Sequence, residues 1–346
     1  MRILYAGWLH EDGVAEHGPT YEAANFLPAL RGMGHDVHVI DIGLSATLGV
    51  AHVTELLRDA LAQNPYDLLF ASLVHDDVDA SWLEQVTSRG DVVTFNWFCD
   101  DHWRLESFSA RWAPRFTWVS TTDASAIERY KKHDVHNVLL TQWAASTERY
   151  QPRGLPLKYD VSFIGQVYGD RRRIISNLRR SGVDARVWGS GWNTRAWHRV
   201  AKRVPLVRSL GGAEWARQVR ASTRLSTDDM IATFEQSRIN LNLAAASHGS
   251  RQQVKGRVFE VPAVGGFLLT ERAERIDEFF VPDDEIGMFE SPQEIGERVN
   301  WWLAHETQRE RAARAAHARV LAEHTYAHRF AALFRDMGLP ARGGQS

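Results

Sequence analysis

Short apolar strands alternate with helical stretches along this chain, and the alternation runs twice. In the first half, Arg2 to Ala6 reads as a strand, Tyr21 to Gly32 as an amphipathic helix stopped by Gly32 and Gly34, and His35 to Asp41 as a second strand. Leu68–Leu73, Val92–Phe98, Trp118–Thr121 and Val138–Gln142 continue the series, separated by helical patterns such as Val53–Ala62 and Ser125–Lys132. Strands separated by helices cannot close as hairpins; they enter a parallel sheet covered on both faces. Between Ser146 and Lys158 the pattern lapses into a stretch with two prolines and a glycine, which reads as a linker. It then restarts with Val161–Ile164, Arg171–Ser181, Ala185–Trp188, Asp228–Ser237, Ile239–Leu243, Phe267–Thr270 and Gly287–Phe289, and helices from Pro292 to Met337 finish the chain. The expected class is α/β: two doubly wound halves, 1–150 and 151–325, facing a central cleft, with ligands at the carboxyl ends of the strands.

The composition is that of a globular protein, with 44% hydrophobic and 24% charged residues in 346. A net charge of −2 gives no global electrostatic case for nucleic acid. Cys99 is the one cysteine, so an internal disulfide and a cysteine zinc cluster are excluded, and a reducing cytoplasm is the expected location. The first residues read as a strand rather than a signal peptide, and no window reaches the apolar length of a membrane span. From Arg195 to Arg224, eight cations stand against the single acid Glu214. This is either a solvated helical insertion or a contact surface for an anionic partner.

One segment concentrates chemistry. Val254 to Thr270 carries Lys255, Arg257 and Glu260 on a short turn that ends at Gly265 and Gly266 and runs into an apolar strand. Cations suit a phosphate group, a carboxylate suits a ribose diol, and glycine admits a ligand to the backbone. Arg257 and Glu260 are also spaced to pair with each other on a helix. Upstream, Phe163 to Arg173 forms a strand, a loop with Gly165 and Gly169, and a helix start. Gly165, Gln166, Arg171 and Arg172 are therefore candidates for a diphosphate, although an ordinary strand-to-helix turn looks the same. Trp188-Gly189-Ser190-Gly191-Trp192 closes the next strand similarly and could lie against a nucleobase.

In the first half, Asp100 and Asp101 follow a strand end. Adjacent carboxylates raise each other's pKa, which suits a general base; they could equally bind a divalent cation or cap the following helix. The loop after the first strand holds His10, Glu11 and His17, which could contact an acceptor hydroxyl or a transferred sugar or could be plain loop residues.

Asp160-Val-Ser-Phe-Ile-Gly-Gln-Val-Tyr-Gly-Asp-Arg-Arg172, Ile239-Asn-Leu-Asn-Leu243, Lys255 to Glu271 and Glu323 to Arg329 together resemble the CgeB-like, spore-protein-type branch of group-1 glycosyltransferases. Asn96 to Arg104 and Thr141 to Ala144 resemble its first domain. The resemblance implies a GT-B fold of two Rossmann-like domains, an acceptor domain at 1–150, a donor domain at 151–325, and a terminal helix at 326–346 that crosses back to the first. It implies that Glu260 binds donor ribose and that Lys255 and Arg257 bind the diphosphate. Many retaining members carry a second glutamate eight positions before the ribose-binding one; here that position is Gln252. The implied activity is metal-independent transfer of a sugar from a nucleoside-diphosphate sugar, with no cofactor beyond that co-substrate. The acceptor is open, a modified nucleobase included. Asp100, Asp101 and His17 are the catalytic candidates, and His10 and Glu11 the acceptor contacts. A nucleotide-sugar epimerase and a non-catalytic carbohydrate- or nucleotide-binding surface-layer protein are the alternatives.

Overall fold

A computed structural model describes residues 1–192, 225–246 and 251–341; the basic stretch from Arg195 to Arg224 lies outside them. The chain divides into two compact units, one built from Met1–Arg149 with the chain from Thr325 onward, the other from Tyr150–His324.

The first unit holds β1 (Arg2–Gly7), α1 (Tyr21–Gly32), β2 (Asp36–Asp41), α2 (Val50–Gln63), β3 (Leu68–Ser72), α3 (Ala80–Arg89), β4 (Val93–Trp97), α4 (Asp101–Arg104), β5 (Trp118–Thr121), α5 (Ala126–Lys132) and β6 (Val138–Leu140). The sheet order is β2-β1-β3-β4-β5-β6, every pair parallel. Alternate residues of β1 go to opposite cores: Leu4 and Ala6 join Val53, Leu57 and Trp82, while Ile3 and Tyr5 join Phe26, Phe70 and Phe95. Burial on both faces is why β1 and β3 are mostly apolar along their length, whereas the edge strand β2 alternates exposed and half-buried residues.

The second unit holds β7 (Tyr159–Ile164), α6 (Arg171–Arg180), β8 (Ala185–Trp188), α7 (Thr227–Glu235), β9 (Ser237–Asn242), α8 (Arg257–Ala263), β10 (Leu268–Glu271), β11 (Gly287–Phe289), α9 (Ile295–Ala304) and α10 (Glu306–Glu323). Its parallel sheet runs β11-β10-β9-β7-β8. Val161, Phe163, Ile239, Leu241 and Leu269 fill one core with Trp302. The intervening polar residues are buried and paired: Ser162 Oγ donates to Asn240 Oδ1 (2.9 Å), and Asn242 Nδ2 donates to Thr270 Oγ1 (2.9 Å). Part of the proline-containing linker is pinned to this unit, because Glu235 Oε1 accepts from the backbone N–H groups of Arg153 (2.8 Å), Gly154 (2.6 Å) and Leu155 (3.2 Å).

The last helix, α11 (Tyr326–Asp336), belongs to the first unit. Thr325 caps it by a reciprocal contact with His328. Tyr326, Phe330 and Phe334 recur every fourth residue and so share one face, and Phe330 meets Phe26 edge-on at 5.4 Å and Phe70 at 5.6 Å. Phe330→Ala should therefore destabilise the first unit by about 3–5 kcal/mol in denaturant unfolding. A loss below about 1 kcal/mol would mean that the helix is only loosely docked.

Candidate functional site

In each sheet the strand order reverses beside the first strand: β1 between β2 and β3, β7 between β8 and β9. Loops leave such a switch point in opposite directions and open a crevice at the carboxyl ends.

At the second unit's switch point, the loops after β7 and β8 are laced together. Gly165 N–H donates to Trp188 O (2.9 Å), Val167 N–H to Ser190 O (3.0 Å), and the Trp192 indole to Gly165 O (2.8 Å). Gly189 has φ of +131°, and a Cβ there would lie 2.2 Å from Gly165 O, so no other residue fits between the loops. Arg172 braces the same turn through Gly191 O (2.8 Å) and Trp192 O (3.2 Å). This corrects the sequence reading of the Trp188–Trp192 turn as a base platform: Trp192 is buried and committed to the loop. Gln166 is exposed and contributes its carbonyl, which accepts from Arg171 Nη1 (2.9 Å).

Behind this loop lies a cluster of cations. Arg171 is buried, stacks 3.6 Å over the Tyr168 ring, and donates to Tyr168 Oη and to Leu243 O (3.2 Å). Lys255, just before α8, donates to Tyr168 Oη (2.8 Å), Leu243 O (3.0 Å) and Ala245 O (2.6 Å). Arg257 lies over Phe234, with Nη2 3.5 Å from Met230 Sδ and Nε buried without a partner. Among the described residues, none of the three forms an ion pair with a carboxylate. Burial, then repulsion from Arg171 and Arg257, lowers the Lys255 pKa to about 7; burial, with repulsion from Arg257, lowers that of Arg171 to about 10. Tyr168 and the strand-end carbonyls escaped sequence reasoning. A tyrosine three residues before an arginine at a helix start was the available signal; backbone carbonyls leave none.

Glu260 sits on α8 and is 2% exposed, yet its carboxylate makes no hydrogen bond or ion pair among the described residues, and the pairing that its spacing to Arg257 allows does not form. Gly265 ends α8 at φ +76°, with its N–H on Pro262 O (2.8 Å), and a Cβ on Gly266 would lie 2.9 Å from Phe234 O. Gln252 Nε2 donates to Glu271 Oε1 (3.3 Å), while Glu271 Oε2 accepts from Ala244 N–H (2.9 Å). A glutamate at 252 would set two carboxylates against each other, which is the physical reason for the amide.

In the first unit, Asp101 is fully buried and accepts from Tyr130 Oη (2.9 Å), and burial raises its pKa. It ties α4 to α5 and is not open to a substrate, a correction to its reading as a catalytic base. Asp100 is exposed, its backbone carbonyl accepting from Trp103 and Arg104 N–H at the start of α4. His17 is exposed with Nδ1 3.1 Å from Asp12 Oδ2, and His10 Nδ1 lies 3.7 Å from Asp41 Oδ2. Glu11 lines a cavity of about 260 Å³ at the β1/β3 switch point, together with Trp8, Glu22, Ser72 and His75; His10 and His17 are not in its wall. Glu22, absent from the sequence reading, has its pKa raised to about 7 by burial and by Glu11 and Asp100. Its signal was faint: it falls four and eight residues before Phe26 and Leu30, on the helix face where a charge is out of place.

Among the described residues no group of three or more His, Cys, Asp or Glu side chains is placed to hold a metal, and no helix is long and apolar enough to cross a membrane.

Residues 171–335 match the family model described as "Glycosyl transferase-like". Two parallel-sheet Rossmann-like units also superpose on known structures: sucrose-phosphate synthase from Thermosynechococcus elongatus (TM-score 0.63, 11% identity, 97% of each chain covered) and Anabaena HepE solved with UDP and glucose (TM-score 0.62, 11% identity, 98% of this chain and 99% of that one). The fold is GT-B. A protein described as a putative UDP-N-acetylglucosamine 2-epimerase from Listeria monocytogenes shares it at a TM-score of 0.55 and 10% identity, covering 100% of this chain and 99% of that one. No curated protein sequence matches the chain.

Because Gly189 alone permits the laced loops of this GT-B unit, Gly189→Ala should cost at least about 1–3 kcal/mol of stability and disorder the loop that leads into Arg171 at the start of α6. Wild-type unfolding of that variant would show that the two loops are not held together.

Proposed function

We propose that the protein is a glycosyltransferase that takes a sugar from a nucleoside-diphosphate sugar, of the kind found in the CgeB-like branch. The observation that carries this reading is the cluster of Arg171, Lys255 and Arg257, held on carbonyl and hydroxyl oxygens with no ion-paired carboxylate among the described residues. Mutually repelling cations at a switch point are relieved by a polyanion, and a diphosphate is the polyanion of an activated sugar. The match of residues 171–335 to a glycosyl transferase-like family supports the reading, as does the fold shared with HepE, which has been solved with UDP-glucose.

The difficult step is departure of the diphosphate from the anomeric carbon. Negative charge grows on the leaving phosphate as that bond breaks, and fixed cations that need no reorganisation stabilise it. Arg171, Lys255 and Arg257 would supply this countercharge, so the proposed reaction needs no metal. Glu260 would accept from the ribose hydroxyls.

Glu260→Ala should raise the donor KM by about 10–100-fold, the loss of hydrogen bonds to a charged group worth about 1.5–3 kcal/mol, and leave kcat nearly unchanged. An unchanged KM would remove the ribose role. Product analysis of the same assays separates transfer or hydrolysis, which releases nucleoside diphosphate, from epimerisation, which returns an isomerised donor.

Lys255 adds a pH signature. With a pKa of about 7 it is largely neutral at pH 8, and a bound diphosphate restores its charge, so binding takes up a proton. Calorimetric titration of the wild type with UDP-glucose at pH 8, in buffers of different ionisation enthalpy, should show uptake of about one proton, absent in Lys255→Met. Equal uptake in both proteins would place the diphosphate away from Lys255.

A further inference from the structure

The hydroxyl of Tyr168, on the loop between β7 and α6, stands where three segments of the second unit meet. Its proton goes to Ala245 O (2.8 Å), beyond the end of β9. Its oxygen accepts from Arg171 Nη2 at the start of α6 and from Lys255 Nζ (2.8 Å) just before α8. A hydroxyl has one proton to give and lone pairs to receive with, so this arrangement turns the negative end of the phenol dipole toward both cations.

The phenol is held in that orientation. The Arg171 guanidinium stacks 3.6 Å over the ring, and the Arg171 N–H donates to Tyr168 O (3.4 Å). The preceding residue, Val167, is tied by its N–H to Ser190 O (3.0 Å). Burial raises the pKa of the phenol against the opposite influence of Arg171 and Arg257, so the oxygen is a neutral acceptor and not a phenolate counter-ion.

Lys255 and Arg171 share a second acceptor, Leu243 O, at 3.0 and 3.2 Å, and Lys255 has a third in Ala245 O (2.6 Å). Both carbonyls belong to the chain after β9. Among the hydrogen bonds of Lys255 to described residues, the one to Tyr168 is the one that reaches the β7–α6 loop.

We propose that Tyr168 is the positioning residue of the cation cluster: its hydroxyl holds Lys255 and Arg171 on one oxygen and so keeps the Lys255 ammonium charged and beside Arg171 for an incoming diphosphate. The proposal rests on the diphosphate reading given above, and Tyr168 acts through the two cations. Burial is the largest cause of the lowered Lys255 pKa of about 7, followed by repulsion from Arg171 on α6 and Arg257 on α8, with Glu271 at the end of β10 opposing them. An acceptor beside an amine favours its charged form, so removal of the phenol oxygen moves this pKa further down. Tyr168→Phe removes that oxygen, keeps the ring under Arg171, and leaves the carbonyl acceptors of both cations in place.

The test uses the full chain, wild type and Tyr168→Phe, and two readouts. In the first, without nucleotide, each protein is trace-labelled with acetic anhydride across a pH series and its peptides are weighed. Lys255 should gain reactivity with a midpoint near pH 7 in the wild type and about one pH unit lower in Tyr168→Phe, a tenfold shift in the proton equilibrium. In the second, calorimetry follows binding of UDP-glucose, or of whichever of ADP-, GDP- and dTDP-glucose binds, at about pH 5.5 and pH 8. Tyr168→Phe should bind about tenfold more weakly than the wild type at the higher pH and within about threefold of it at the lower, where Lys255 is charged in both proteins. An equal loss at both pH values is what a role confined to the packing of the loop gives, and it overturns the proposal. An unmoved Lys255 midpoint, or a Tyr168→Phe chain that does not fold, does the same. These results beside normal wild-type binding overturn the proposal alone, whereas a wild type that binds none of the four nucleotide sugars overturns the diphosphate reading with it.

Discussion

Three cations crowd the carboxyl ends of β7 and β9, and among the described residues no carboxylate forms an ion pair with them. Arg171 and Lys255 rest on the Tyr168 hydroxyl and on strand-end carbonyls, which satisfy N–H donors without cancelling charge. The cost appears in the depressed pKa values of both residues. A fold keeps such an arrangement when an anion periodically completes it. The laced loops that fix Arg171 and the close glycine contact at Gly189 are the scaffold that holds the cations in place.

The two units use the same topological device for opposite chemistry. Each has a switch point beside its first strand. The second unit places cations and the buried Glu260 at its strand ends, whereas the first lines its cavity with carboxylates and an indole.

Much of the fold was legible because short strand-forming runs alternate with helical patterns, even where buried polar residues such as Ser162 and Asn240 interrupt a strand. The helix Tyr21–Gly32 and the strands Trp118–Thr121, Ala185–Trp188 and Gly287–Phe289 have the bounds read from the sequence. Lys255 and Arg171, singled out as charges beside a strand end, stand together in the structure on the Tyr168 hydroxyl and the Leu243 carbonyl. Asp101 was misread because sequence shows that a carboxylate follows a strand but not that Tyr130, 29 residues on, turns it inward. Gly265 ends α8 at φ +76°, a role that the string of letters does not separate from that of a glycine that admits a ligand. Glu22 and the carbonyls of Leu243 and Ala245 were not legible, since their roles come from what the fold brings beside them.

The most direct measurement compares each nucleoside diphosphate with its parent nucleoside by calorimetry, on the wild type and on Lys255→Met. The account predicts that one diphosphate binds at least about 100-fold more tightly than its nucleoside, the equivalent of two or more charge-assisted hydrogen bonds, and that Lys255→Met removes most of that difference. Equal affinity for nucleoside and diphosphate, or a preference untouched by the loss of Lys255, would contradict it.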